Sequence, residues 1–117
     1  MKTTIHLRKV FGAECLTAQD GKQLFDLLSK ELKRNESVTI DCTGVDKFAS
    51  PFFNASLGRL VERYRPRELL SRVNCAHMNE AAMATLQRVL TSADEYFRDD
   101  EHRRAVGETT NRLLSEN

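Results

Sequence analysis

The stretch that decides the fold is SVTIDCTGVDKFASPFFNASLGRL, residues 37–60. Val38, Ile40 and Cys42 alternate with polar residues, which is the period of a strand with one buried face. Thr43-Gly44 then signals a turn. The stretch therefore predicts a strand that ends in a tight polar loop.

A helix is predicted to follow this loop. Pro51 has no amide hydrogen and a fixed φ, so it suits the first helical position and makes Ser50 the N-cap. We expect the helix to end at Arg65-Pro66. Its apolar face would consist of residues at helical spacing, namely Phe53, Leu57, Leu60, Val61 and Tyr64.

The remaining segments alternate between strand and helix patterns. Residues 3–10 predict a strand, and residues 17–35 predict a helix that begins with a capping box at Thr17. Residues 68–78 should contain a third strand, centred on residues 72–75. A long apolar stripe then predicts a helix that is capped by Asn79 and reaches Phe97. Helices that connect strands imply crossover connections, so the strands should be parallel.

The fold class that follows is a small α/β domain with one sheet of about four strands, a parallel core and helices packed on it. We place this domain at residues 1–98 and a C-terminal helical extension or tail at residues 99–117. In that tail, Gly107 is expected to interrupt any helix.

Composition limits the function classes. The 117 residues contain 18 Lys plus Arg and 17 Asp plus Glu, a net charge of +1 with the two signs interspersed, so we expect neither a nucleic-acid nor a lipid partner. No signal peptide or membrane-length apolar run is recognisable, which predicts a cytoplasmic protein. Cys15, Cys42 and Cys75 form no C-x-x-C pair, so we expect reduced thiols and neither a metal nor a cofactor.

The site is expected in the loop and the helix start that follow residues 37–41, because parallel sheets place their sites beyond the carboxyl ends of their strands. Asp41 and Gly44 should structure this loop, and we expect Asp41 to accept hydrogen bonds from the loop amides. Nothing close in sequence to Ser50 would activate it as a nucleophile, and no glycine-rich phosphate loop is present. We therefore expect a protein without enzymatic activity.

Three residues of this unit allow two interpretations each. Ser50 is either only a helix cap or also a regulatory site. Asn54 either binds the loop backbone or contacts a partner, and Phe52 lies either at the edge of the core or in an interface. A small-ligand or nucleotide site in the crevice at the strand ends is the alternative function.

Residues 38–60 also resemble the STAS-like domain family, bacterial domains of unknown function related to the anti-sigma factor antagonists. The residues that carry the resemblance are Asp41, Gly44, Val45, Ser50, Phe52, Asn54, Ala55 and Gly58. The order of strands and helices on both sides agrees with the family, so the similarity extends over most of residues 1–97.

The resemblance implies a signalling module for transcription regulation. In anti-sigma factor antagonists, the matching loop and helix dock on a histidine-kinase-like ATPase, which phosphorylates a Ser or Thr at the helix start. Ser50 occupies that position, although Ala49 replaces the usual acid and Pro51 replaces a small hydroxyl residue. Asp46, Ser50, Phe52 and Asn54 are the implied contacts for such an ATPase or for another anti-sigma-type regulator. The oligomeric state stays open.

Overall fold

The computed structural model describes the backbone of residues 2–34 and 37–115, and the side chains of residues 3–34 and 37–99. The elements in chain order are β1 (Lys2–His6), α1 (Leu7–Phe11), β2 (Glu14–Cys15), α2 (Ala18–Arg34), β3 (Ser37–Asp41), β4 (Lys47–Phe48), α3 (Ser50–Ala55), α4 (Leu57–Leu60), α5 (Pro66–Arg72), β5 (Val73–Ala76) and α6 (Glu80–Ser115). In the described residues, no helix is both long enough and apolar enough to span a bilayer.

The main sheet has three parallel strands in the order β1-β3-β5. Ile40 on the central strand is in register with Ile5 on one side and Cys75 on the other. The parallel arrangement confirms the sequence prediction. The single sheet of about four strands was wrong, because β2 and β4 form a separate two-stranded parallel sheet. Those strands have two residues each, too few for an alternating pattern to show in the sequence.

One predicted strand is shorter than expected, and another lies where it was predicted. The strand predicted over residues 3–10 ends at His6, and the chain turns directly into α1. Leu7 is buried as the first residue of that helix. An apolar residue at this position suits a strand and a helix equally well, so it could not distinguish between them. The third strand is Val73–Ala76, which confirms the strand predicted within residues 68–78, and α5 occupies the residues before it.

The helix predicted from Ser50 to Arg65 is broken at Ser56. This residue separates α3 from α4, with φ −109° and ψ −94°. The Ser56 side chain is fully buried, and its hydroxyl donates to the Phe52 carbonyl at 2.8 Å. A serine hydroxyl that binds a carbonyl of the preceding turn competes with the helical amide. Pro66 begins α5 instead of ending a longer helix, as its lack of an amide hydrogen also permits.

The helix α6 contains 36 residues and begins as predicted. The Asn79 side-chain oxygen accepts the Ala82 amide at 2.7 Å, which confirms the cap. The predicted interruption at Gly107 was wrong, because α6 continues through it to Ser115. One helical glycine costs only about 1 kcal/mol, which need not end a helix. The boundary between a domain and an extension near residue 98 stays a prediction.

Aromatic side chains form the centre of the core beneath α3. Phe52 and Phe53 are both buried, and their ring centroids lie 5.8 Å apart. Phe48 stacks on Phe53 with a centroid distance of 5.2 Å, and Phe11 meets Phe52 edge-on at 5.6 Å. Such pairs contribute about 0.5–1.5 kcal/mol each beyond the area that they bury. The α3 helix is therefore held from below by its own two phenylalanines.

Gly21 allows α2 to lie directly against α3. It is buried in the first turn of α2, and a Cβ at this position would overlap the Phe52 carbonyl oxygen and lie 2.9 Å from the Ala55 Cβ. By helix propensity alone, a glycine at this position would only weaken the helix. The structure shows instead that the missing side chain permits the close approach of the two backbones.

The substitution Gly21→Ala tests this contact. Helix propensity alone would stabilise the protein by about 1 kcal/mol. We expect the opposite, a loss of about 1–3 kcal/mol in the free energy of unfolding, because α3 must move away to admit the methyl group. Urea unfolding measures the difference, with the exposed Gln23→Ala in the same helix as the control, and a stabilised Gly21→Ala variant would contradict the packing described here.

Candidate functional site

The Asp41 carboxylate is fixed at the carboxyl end of β3 by three groups. Its Oδ1 atom accepts the Thr43 amide at 2.9 Å and the Thr43 hydroxyl at 2.6 Å. Its Oδ2 atom lies 3.2 Å from Nδ1 of His6, the residue in register with Asp41 on β1. The prediction that Asp41 accepts a loop amide is confirmed.

These contacts favour the charged form of Asp41. The Thr43 hydroxyl and then the Thr43 amide lower the pKa of the carboxyl below its usual range, and His6 and His77 lower it further. A carboxylate with a lowered pKa stabilises the fold above its ordinary pKa, and this contribution is lost as the pH falls through the lowered value. Asp41 is therefore a structural anchor of the loop at neutral pH.

Gly44 forms the turn that reverses the chain after Asp41. Its φ of +81° lies in the left-handed region, which residues with a side chain rarely adopt. The Gly44 carbonyl accepts Nη1 of Arg8 at 3.3 Å, so the turn rests on the α1 side chain beneath it. This conformation supports the loop-structuring role expected for Gly44.

The rest of the loop is tied to the segment that precedes α2. The Asp46 amide donates to the Ala13 carbonyl at 2.8 Å, and the Ala49 amide donates to the Cys15 carbonyl at 3.0 Å. Val45 is buried, whereas the Asp46 side chain is exposed. The backbone of the loop is therefore fixed while one acidic side chain points to solvent.

Ser50 is not the N-cap of α3. The Ala49 carbonyl accepts the amides of both Phe52 and Phe53, at 3.0 and 3.4 Å, so Ala49 takes the cap position and Ser50 becomes the first helical residue. The Ser50 side chain is exposed, and its hydroxyl makes no hydrogen bond with any residue that the structure describes. The interpretation of Ser50 as only a helix cap was therefore wrong.

Phe52 and Asn54 lie on opposite sides of α3. Phe52 is 0% exposed, so it has no surface to offer and its assignment as a partner contact was wrong. Asn54 is exposed and lines an open groove of about 420 Å³ against α6, together with Arg59 and Tyr96. The Asn54 side-chain amide makes no hydrogen bond with another described residue, so the interpretation that Asn54 binds the loop backbone was also wrong.

The loop and α3 thus present polar side chains to solvent and aromatic side chains to the core. Asp46, Ser50 and Asn54 are accessible along the loop and α3, whereas the phenylalanines of the same segment face the core. The His6 contact with Asp41 was missed in the sequence. Because the first strand was predicted to continue to residue 10, aligning the predicted strand ends would not have placed His6 beside Asp41.

The chemistry available in this region is limited. Burial raises the pKa of the Cys42 thiol to about 12, and those of Cys15 and Cys75 to about 11, so none of these thiols is ionised at neutral pH. Among the residues whose positions are described, no group of three His, Cys, Asp or Glu side chains is arranged to hold a metal ion.

These features define a small α/β domain in which a parallel sheet ends in a fixed loop and a short helix. The chain belongs to the family of STAS-like domains of unknown function, whose model matches residues 20–83, more than half of the chain. The match includes the loop, α3 and the first residues of α6. No curated protein and no solved structure matches the chain.

Thr43→Val tests the anchor at Asp41. Removal of the hydroxyl removes the largest cause of the lowered pKa, so the pKa of the Asp41 carboxyl should rise towards its ordinary value. A pH titration of the side-chain carboxyl carbon by NMR measures this pKa directly. Thr4→Val, at an exposed position of β1, is the control. An Asp41 pKa that is the same in Thr43→Val and in the unmodified protein would contradict the proposed anchor.

Proposed function

We propose that this domain is a non-enzymatic regulatory module that docks on a protein partner through residues 41–58. The observation that carries the proposal is the exposed Ser50 hydroxyl, which has no structural task at the start of α3. Asp46 and Asn54 are exposed on the same segment and supply further polar contacts. The resemblance to anti-sigma factor antagonists supports a histidine-kinase-like ATPase as the partner.

A rigid binding segment supports this role. The loop backbone is fixed by Asp41 and by the hydrogen bonds to Ala13 and Cys15, and α3 is fixed by Phe52 and Phe53. A segment that is ordered before binding loses less conformational freedom when a partner docks. The unit therefore suits recognition by a preformed surface.

Phosphorylation of Ser50 would act on this surface as a switch. It would add about −1.5 to −2 charges and three acceptor oxygens next to the contacts. Because α3 has only six residues, its dipole would stabilise the new charge less than a long helix would. The phosphate charge would thus be felt mainly by a docked partner.

The alternative of a small ligand or nucleotide receives less support. The crevice beside the loop and the start of α6 has a volume of about 290 Å³ and is lined in part by Asp46 and Phe48. Ligand pockets usually measure about 300–1,000 Å³, so this crevice lies at the lower limit of that range, and its charged lining residues, Asp46 and Lys47, offset each other. No specific observation favours a nucleotide here, so protein docking is the function that we propose.

Affinity capture from an extract of the native host tests this proposal. We expect the unmodified protein to retain a histidine-kinase-like ATPase, and the variant Asp46→Ala/Asn54→Ala to retain about tenfold less of it, because two contacts are lost. The control Glu95→Ala/Gln87→Ala removes the same two functional groups from exposed positions of α6. It should bind like the unmodified protein.

A charge at Ser50 supplies the second arm of the same experiment. Ser50→Asp should lower the amount of captured ATPase, whereas Ser50→Ala should not, and mass spectrometry should find phosphate on Ser50 in protein from the native host. If no such ATPase is captured, or if the test and control variants retain it equally, docking through this segment is wrong. Normal capture by Ser50→Asp would remove the switch alone.

A further inference from the structure

One short segment that directly follows the docking segment has a strong local charge. Residues 59–67 contain four arginines and one glutamate, although the whole chain has a net charge of only +1. The expectation that the two signs of charge are interspersed was therefore wrong for this basic segment, which runs from the end of α4 to the start of α5. The sequence RLVERYRPR would have revealed it if charge had been counted in short windows.

This segment forms one wall of a small pocket, and α6 forms the other. The pocket has a volume of about 110 Å³ and shares no lining residue with the loop or with α3. Its lining residues are Val61, Glu62, Arg63, Arg65, Asp94, Phe97 and Arg98. Three exposed arginines, two from the turn between α4 and α5 and one from α6, therefore line one recess.

Two of these arginines have no partner in the part of the chain that the structure describes. The Arg63 and Arg65 guanidinium groups make no hydrogen bond or ion pair with a described residue, not even with Glu62. Arg98 differs, because its Nε lies 3.2 Å from both carboxylate oxygens of Asp94. Asp94 neutralises and orients Arg98, which leaves the charges of Arg63 and Arg65 for a ligand.

The size and the floor of the pocket limit what the ligand can be. One water needs roughly 10–15 Å³ of such space, so 110 Å³ is room for a small ion such as a tetrahedral oxyanion. Val61 is buried and Phe97 is half-buried at the same site. The other five lining residues are charged, so the recess favours an ion over an apolar ligand.

We propose that this pocket binds a phosphate dianion, either free or as a phosphomonoester. Arg63 and Arg65 supply forked N–H donors whose geometry matches phosphate oxygens, and the three lining arginines outnumber the two lining carboxylates, Glu62 and Asp94. Arg98 closes the site from α6 while Asp94 holds it in place. This site is separate from the docking segment and does not depend on the function proposed for that segment.

Calorimetric titration of the full chain in a phosphate-free, low-salt buffer tests the site. Inorganic phosphate and phosphoserine are the two probes, and sodium chloride and serine are their respective controls at matched ionic strength. Saturable binding of either probe is expected. The variant Arg63→Ala/Arg65→Ala should bind at least about tenfold more weakly, because two charge-assisted contacts are lost.

A charge-matched variant distinguishes specific binding in the pocket from non-specific electrostatic attraction. Arg67→Ala/Lys22→Ala also removes two exposed cations, neither of which lines the pocket, and should keep the full affinity. In amide NMR spectra of the unmodified chain, phosphate should shift residues 61–65 and 94–98. This map does not depend on any variant being folded. Phosphoserine binding alone would identify a phosphomonoester as the ligand, and phosphate binding alone would identify the free ion.

Three results would overturn the site. Chloride could produce the same heat as phosphate at matched ionic strength, both double variants could lose affinity equally, or the NMR shifts could lie outside the two stretches.

Discussion

The contact between Gly21 and the backbone of Phe52 is the constraint on which the rest of the structure depends. It brings α3 against α2 at a distance that no side chain at position 21 would permit. At this distance Phe52 and Phe53 reach the core and join the cluster with Phe11 and Phe48. Everything exposed on α3 is positioned by this buried contact.

The break at Ser56 completes the arrangement. In a continuous helix, Asn54 and the residues of α4 would follow one regular helical spacing. The buried Ser56 hydroxyl instead ends α3 after six residues. Gly58 then packs on α6, where a Cβ would lie 3.0 Å from the Val89 side chain and 3.1 Å from the Phe53 carbonyl oxygen. Two small residues, Gly21 and Gly58, thus set the positions of α3 and α4, and they leave the polar side of α3 open to solvent.

The sequence predicted the features that follow from periodic patterns and capping residues. It missed the features that depend on individual hydrogen bonds. The parallel strands, the Asn79 cap and the loop role of Asp41 followed from alternation and capping rules. The cap at Ala49 and the break at Ser56 depend on which carbonyl accepts which hydrogen bond. The presence of a proline or a serine in the sequence does not determine these hydrogen bonds. Phe52 was misjudged because a single-helix pattern placed it off the apolar stripe, whereas the short α3 buries two adjacent phenylalanines.

Native-state hydrogen exchange at the Phe52 and Ser56 amides tests the central claim most directly. Both amides are hydrogen-bonded within the α3 unit, to the Ala49 and Phe53 carbonyls. If the Gly21 contact and the buried phenylalanines hold α3, these amides should exchange with a free energy equal to that of global unfolding. Exchange through a local opening, several kcal/mol below the global value as in a mobile loop, would contradict the account.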